Sequence, residues 1–359
     1  MNNFDFPITR TDTPVPKPDM DKLGFGQYFT DHMFVMDFDD GTGWHNARIV
    51  PYAPISLDPA AAVLHYSQEV FEGMKAYLTR SGDALLFRPF ENAQRSNNSS
   101  RRLCMPVIDE RLYIEAIKAL VREDYDWIPD REGTALYIRP FIIATEAFLG
   151  VRPSKKYSFY VIMSPVGSYY ESGLMPTKIY VEDEYARSVK GGMGAAKTGG
   201  NYASGLLSQE KAKAKNCSQV LWLDGVERKY VEEIGTSNAF FAIEDKIVTS
   251  PLTGTILPGI TRDSVIELLR SWDMRVEEDR FTIGDIFEAH ENGRLSEVFA
   301  TGTAAVISPV GQIMWGERSI TINENTTGPI SKRLYESITG IQTGMIADRF
   351  SWTELIPKP

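Results

Sequence analysis

The stretch Gly191-Gly192-Met193-Gly194-Ala195-Ala196-Lys197-Thr198-Gly199-Gly200-Asn201-Tyr202 sets a single lysine in a run with almost no side-chain bulk. Five of the ten residues from 191 to 200 are glycine, a density that marks special dihedrals or close approach of a flat ligand to bare backbone. A primary amine in a small, partly dry pocket can shed its proton, because burial disfavours the ammonium, and then attack an aldehyde to form a Schiff base. Two other readings stay open. Gly-rich segments are ordinarily mobile surface loops. The residues also approach the phosphate-loop pattern GxxxxGK[ST], but Ala196 stands where its second glycine belongs, and polar Arg187-Ser188-Val189-Lys190 precedes the glycines where a strand is needed.

Working outward, 359 residues exceed the usual single core, so two domains are expected. The composition, 43% hydrophobic and 24% charged, is that of a soluble globular chain, and no apolar run is long enough to span a bilayer. Met1-Asn2-Asn3-Phe4-Asp5-Phe6 lacks the basic and apolar regions of a signal peptide, which points to the cytoplasm. A net charge of −10 argues against nucleic acid, so cations around an anionic ligand must be local. Cys104 and Cys217 match no metal or redox spacing, and His32, His45, His65 and His290 form no metal-site pair, so no metal is expected.

In the first half, four prolines by Pro18 make the start an extended arm. Strands are expected over 28–38 and 47–52, then a helix from Pro59, its first position, to near Ser67, capped by Asp58. One alternating strand follows over Phe71–Leu78, pairing with 83–87. A polar helix over 91–103 carries Arg95, Arg101 and Arg102, which are candidates to grip an anion or simply a solvated face. An amphipathic helix spans 111–123. In the strand 135–141, Tyr137 and Arg139 share one face, a hydroxyl and a guanidinium suited to a carboxylate if that face does not simply meet water. After the strand 157–163, Ser164-Pro165-Val166-Gly167-Ser168-Tyr169-Tyr170-Glu171-Ser172-Gly173 breaks all periodicity. The expected domains are therefore 1–163 and 175–359, with 164–174 as a linker whose tyrosines suit a cleft.

The second half opens with a strand over 178–182 and, beyond the glycines, a helix over 202–215. Strands at 220–223, 228–233, 239–243 and 246–249 then read as an antiparallel meander rather than a doubly wound parallel sheet. Leu257-Pro258-Gly259-Ile260-Thr261-Arg262-Asp263 opens a helix whose free N–H groups suit an anion, although a plain cap needs none. Val298 to Ile307 reads as strand, turn, strand, with Thr301 and Thr303 at a turn that either binds an anion or is an ordinary hairpin tip. A last helix starts near Ile330.

In wording and order, this chain resembles the branched-chain amino acid aminotransferases of pyridoxal phosphate fold type IV over nearly its whole length. The matching phrases are His65-Tyr66-Ser67, Val70-Phe71-Glu72-Gly73-Met74-Lys75-Ala76, Tyr137-Ile138-Arg139-Pro140, Ser164-Pro165-Val166-Gly167 and Lys197-Thr198-Gly199-Gly200-Asn201-Tyr202. Val231-Glu232-Glu233-Ile234-Gly235-Thr236, Leu257-Pro258-Gly259-Ile260-Thr261-Arg262-Asp263 and Thr301-Gly302-Thr303-Ala304-Ala305 complete the set. The resemblance implies an α+β fold, with a smaller N-terminal α/β domain, a larger C-terminal domain built on an antiparallel, barrel-like sheet, and the active site in the cleft between them.

It further implies that Lys197 binds pyridoxal 5'-phosphate covalently and carries the proton between substrate Cα and cofactor. Arg95, Ile260, Thr261 and Thr303 then hold the phosphate, Tyr202 meets the phenolic oxygen, and Glu233, rather than Glu232, meets the ring nitrogen. A carboxylate there keeps that nitrogen protonated, so that the ring can accept electrons. Tyr137, Arg139 and the N–H groups of Thr303, Ala304 and Ala305 match the α-carboxylate site, and Phe71, Tyr202 and Thr236 the pocket wall. A second subunit of a homodimer adds residues matching Tyr66, Leu149 and Val151.

The implied substrates are leucine, isoleucine, valine and glutamate with their 2-oxo acids. Glutamate's γ-carboxylate needs a cation or donors in an otherwise apolar pocket, for which Arg139 and Tyr66 are candidates. Some relatives carry Cys-x-x-Cys after the threonine turn, but Ala305 and Ser308 occupy those positions and exclude that redox control. The alternatives are a D-amino acid transaminase or an aminodeoxychorismate lyase of the same fold type, or, outside enzymes, a nucleotide-binding protein.

Overall fold

The structure, a computed structural model, describes residues 4–167 and 174–359. Tyr169 and Tyr170, expected to serve a cleft, lie outside the described residues. The chain forms two compact units. One gathers Met1–Tyr169, Ala196–Gly199 and Gly340–Pro359, and the other Tyr170–Ala195 and Gly200–Thr339.

In the first unit the elements run β1 (His32–Asp39), β2 (Gly43–Pro51), α1 (Ala62–Tyr66), β3 (Glu69–Phe71), β4 (Met74–Leu78), β5 (Ala84–Phe87), α2 (Pro89–Arg102), α3 (Glu110–Glu123), β6 (Ala135–Ala144) and β7 (Lys156–Val166). Every ladder between its strands is antiparallel, and Thr353–Ile356 adds the edge strand beside β5. Val70, Met74, Leu136, Ile138 and Ile142 on the sheet pack with Ala93 of α2 and Ile114, Ile117 and Leu120 of α3 in one core. The alternation that sends these residues inward sends Tyr137, Arg139 and Phe141 to the opposite face.

Several sequence expectations change here. The extended run 71–78 is two strands, because the backbone breaks at Glu72-Gly73. Asp58 caps no helix: its Oδ1 accepts the Ala60 N–H at 2.8 Å in a turn, and the helix starts only at Ala62. Strand β7 continues through Pro165, which pairs with Leu136 of β6; the ladder from β1 ends at Val161, so the missing proline N–H disturbs no second neighbour. The C-terminal strand and the lysine segment 196–199 join this first unit, where the sequence reading placed all of 175–359 in the second domain.

The second unit comprises β8 (Thr177–Glu182), α4 (Gly199–Ala203, whose first residue belongs to the first unit), α5 (Leu206–Ala214), β9 (Gln219–Leu223), β10 (Val231–Ile234), β11 (Ser237–Ile243), β12 (Lys246–Thr249), α6 (Ile260–Ser271), β13 (Arg275–Glu278), α7 (Ile283–Glu291), β14 (Leu295–Gly302), β15 (Val306–Trp315), β16 (Arg318–Thr321) and α8 (Pro329–Gln342, whose last three residues belong to the first unit). β9 to β12 pair antiparallel in succession, as the meander reading expects. β8 lies parallel to both β9 and β15, and β10 pairs with both β9 and β11, so the sheet closes into a barrel. Its core packs Val181, Leu221, Phe241 and Val298 against Ile286 and Phe287 of α7. The single helix expected over 202–215 is two, α4 and α5, interrupted at Ser204-Gly205, where the Gly205 N–H turns back to the Tyr202 carbonyl at 3.2 Å. The α+β class expected from sequence is the one observed.

Candidate active site

Lys197 is held on both sides of its peptide unit by backbone hydrogen bonds. Its N–H donates to Ser99 Oγ of α2 at 2.9 Å, and its carbonyl accepts the Phe71 N–H at 3.1 Å. The side chain reaches the ring of Phe71, with Nζ 4.8 Å from the centroid. Burial of the amine, followed by the nearby charge of Arg95, pushes its pKa down to about 8, against the opposing pull of Glu72 and Tyr137. Near neutral pH an appreciable fraction is thus the free base that Schiff-base chemistry requires. The surface-loop reading fails on these contacts, and the phosphate-loop reading on the absence of an entering strand, since β8 ends at Glu182.

Arg95 is the arginine of α2 that turns inward, which the sequence alone could not select. It grips Glu72 with two hydrogen bonds, Nε to Oε1 at 2.7 Å and Nη2 to Oε2 at 2.8 Å, and Asn92 donates to the same carboxylate at 2.7 Å. Burial pushes the Glu72 carboxyl up, but Arg95, Lys197 and Asn92 more than offset it and leave it below the usual range. Arg101 and Arg102 are exposed. Glu72 was legible only as part of a motif phrase, and its pairing with Arg95 follows from the strand break that aims it at α2.

On the opposite sheet face, Arg139 Nη2 donates to the Tyr137 hydroxyl at 3.0 Å, and its guanidinium lies 4.9 Å from the Phe71 centroid. Arg139 Nε is buried with no hydrogen-bond acceptor among the described residues, as suits a guanidinium that receives a carboxylate. Lys75, unnoticed as a site residue, lies in register with Tyr137 on this face, and burial lowers its pKa to about 8. Tyr66 and Leu149 also come together, the Tyr66 hydroxyl donating to the Leu149 carbonyl. Leu149 and Val151 are 62% and 84% exposed.

In the second unit, Glu233 is buried on β10, 2.5 Å from Arg187 Nε, and accepts from Asn238 Nδ2 at 3.1 Å. Arg187, set aside in the sequence as polar lead-in to the glycines, is the missed partner. Nη2 of the same guanidinium donates to the carbonyls of Gly194 and Thr255. This contact accounts for part of the upstream glycine run. A Cβ on Gly194 would lie 2.1 Å from the Thr255 oxygen, and Gly191 takes a φ of +82°. Glu232 points elsewhere: it lines a cavity of about 290 Å³ with Asp224, Tyr230, Ser250, Thr255 and Arg280, and burial raises its pKa.

Gly259 leads into α6 without any side-chain cap, so Ile260 and Thr261 stand at an uncapped 12-residue helix start, the geometry in which backbone N–H groups face an anion. Thr303, Ala304 and Ala305 form the turn between β14 and β15. It is bounded by Val306 at φ +62°, strained for a β-branched residue, and by Thr301, whose buried Oγ1 lacks a partner among the described residues. Tyr202 lies on α4, and Thr236 is exposed at the turn from β10 to β11.

The profile of the family described as Amino-transferase class IV matches residues 69–313. The chain belongs to the class IV aminotransferases. The branched-chain-amino-acid aminotransferase 2 of Bacillus subtilis (strain 168) is 57% identical over 346 residues, which cover 96% of this chain and 95% of that protein. Among solved structures, the Escherichia coli branched-chain amino acid aminotransferase superposes with a TM-score of 0.76 at 27% identity, covering 91% of this chain and 99% of the other. A T.th. branched-chain amino acid aminotransferase solved with pyridoxamine 5'-phosphate gives 0.73 at 29% identity, covering 89% and 97%. The class depends on pyridoxal phosphate, and the depressed lysine and the unpartnered Arg139 Nε suit that cofactor and a carboxylate substrate.

Proposed function

We propose that this aminotransferase exchanges the amino group between L-leucine, L-isoleucine or L-valine and 2-oxoglutarate by a ping-pong route. The observation that carries the proposal is the convergence of Lys197 and Arg139 on the ring of Phe71, with the Tyr137 hydroxyl on the same guanidinium. This arrangement sets an amine base and a carboxylate anchor around one apolar wall. Near-full-length identity to a branched-chain enzyme supports the choice of substrate.

When bound, the cofactor supplies an aldehyde for the amine and a ring that takes up the electrons released at Cα. Arg95 and the backbones of Ile260, Thr261 and Thr303 would hold its phosphate, Tyr202 its phenolic oxygen and Glu233 its ring nitrogen. Arg187 pairs with Glu233 and holds it in place. Lys197 Nζ, in its free-base form, takes the proton from substrate Cα and returns it on the other side of the reaction. Arg139 and Tyr137 hold the α-carboxylate, with N–H groups of Thr303, Ala304 and Ala305 as further donors, while Phe71 and Thr236 bound the side chain. For glutamate, Arg139 and Tyr66 meet the second carboxylate.

The exposed Val151 and the exposed Leu149, whose carbonyl accepts from Tyr66, support a homodimer in which these residues serve the neighbouring copy. No helix among the described residues is long and apolar enough to cross a membrane, and we assign the enzyme to the cytoplasm. A donor panel with 2-oxoglutarate tests the substrate assignment. Glutamate should form from L-leucine, L-isoleucine and L-valine and not from D-alanine; the reverse pattern would make this a D-amino acid transaminase.

A further inference from the structure

The segment that carries Lys197 is laced to β3 from the lysine carbonyl onward. Beyond the Phe71 N–H bond to the Lys197 carbonyl, Thr198 Oγ1 donates to the Glu69 carbonyl at 2.7 Å, and the Gly199 N–H donates to Glu69 Oε1. Only the last of these contacts uses an ionisable side chain. It also accounts for the glycine: a Cβ at position 199 would stand 2.3 Å from that same carboxylate oxygen.

Glu69 also belongs to the face that holds the carboxylate anchor. In the antiparallel register of β3 with β6, Glu69 lies opposite Ile143 and Phe71 opposite Phe141, and Arg139 follows on the same face. Burial raises the Glu69 pKa, opposed by the Gly199 N–H and then by the charge of Arg139, which reaches this carboxylate. A carboxylate near that guanidinium removes part of the positive potential an incoming acid would feel.

We propose that Glu69 is a positioning residue with two separable effects: its hydrogen bond to Gly199 fixes the backbone carrying Lys197, and its charge weakens the hold of Arg139 on carboxylates, most of all on dicarboxylates. The second effect rests on the reading of Arg139 as the carboxylate anchor. An enzyme alternating between a monocarboxylate and a dicarboxylate partner needs neither to be held too tightly, and Glu69 sets that balance.

The test measures dissociation constants of two inert acids, 4-methylvalerate and glutarate, on the holoenzyme by calorimetry, with amide hydrogen exchange at 197–199 as a second readout. Glu69→Gln keeps an acceptor for Gly199 and loses the charge. It should bind glutarate about tenfold and 4-methylvalerate about threefold more tightly than the parent, with exchange unchanged. Glu69→Ala should show the same tightening together with exchange at least about tenfold faster at 197–199. Unchanged affinity of Glu69→Gln for both acids would overturn the charge balance, and unchanged exchange in Glu69→Ala would overturn the anchoring. If Arg139→Gln still binds both acids as the parent does, the reading of the anchor itself fails, a result distinct from either failure of Glu69.

Discussion

Arg95 and Glu72 form a buried, two-pronged ion pair, 2.7 and 2.8 Å across its two hydrogen bonds, and Lys197 feels both of its charges. The pair links the fold to the Lys197 amine: α2 supplies the arginine, the break between β3 and β4 supplies the carboxylate, and the lysine is tuned by the difference. Breaking such a pair from one side leaves an uncompensated buried charge. Glu72→Gln should therefore lower unfolding stability by about 3 kcal/mol in urea titrations. Because Glu72 raises the Lys197 pKa, the same variant should move that pKa below about 8. A variant as stable as the parent would show that Arg95 finds other partners.

The depressed lysine predicts a pH profile for loading. The rate at which cofactor-free enzyme captures pyridoxal phosphate should rise with pH through about 8 and level off above it, following the free base. An ordinary lysine would keep gaining up to about 10.4. Stopped-flow absorbance across pH 6 to 10 distinguishes the two. In stability the sign is opposite to that of a lysine that gains a partner: with the folded pKa depressed, the unfolded chain binds more protons between the two values, so this group's cost shrinks as pH rises through that window.

The two adjacent glutamates should separate cleanly. Glu233 pairs with Arg187, whereas Glu232 lines a different cavity. Glu233→Gln should lower kcat by roughly a hundredfold while keeping the cofactor, as expected for loss of one preorganised charge. Arg187→Gln should produce a milder version of the same defect. Glu232→Gln should keep kcat within about threefold and should not destabilise, since burial already disfavours its charge. Equal kcat losses in the Glu232 and Glu233 variants would contradict this division of roles.

Tyr137 owes its position to a missing side chain. A Cβ on Gly73 would lie 2.2 Å from its hydroxyl, so Gly73→Ala must displace either the ring or the strand break. About 1.4 kcal/mol of lost carboxylate binding would raise KM for both amino and oxo acids roughly tenfold, with a smaller change in kcat. A drop in kcat at unchanged KM would place Tyr137 in the proton transfer instead.

What was legible in the sequence divides by physical cause. The shared face of Tyr137 and Arg139 was readable because a strand has period two, and the observed hydrogen bond between them follows from that spacing. The helix start at Ile260 and the turn at Thr303 were readable from punctuation residues. The roles given to individual residues, by contrast, came with the family resemblance. Long-range pairings were not readable: nothing near Glu72 announces Arg95, and nothing in Arg187-Ser188-Val189-Lys190 announces Glu233, since such contacts are made by tertiary packing. The strand Thr353–Ile356 was missed because four residues in weak alternation carry little signal without their partner β5. The glycines upstream of Lys197 looked like ligand space. At Gly194 they are instead room for a carbonyl of the protein's own chain.

The central claim, that Lys197 is the amine through which this enzyme transaminates branched-chain L-amino acids, meets its most direct test in a visible absorption spectrum of the purified protein before and after adding L-leucine. The expected result is a yellow cofactor band that falls on adding L-leucine, returns on adding 2-oxoglutarate and is absent from Lys197→Ala. A protein that pyridoxal phosphate cannot colour, or a band that responds identically in Lys197→Ala, would contradict it.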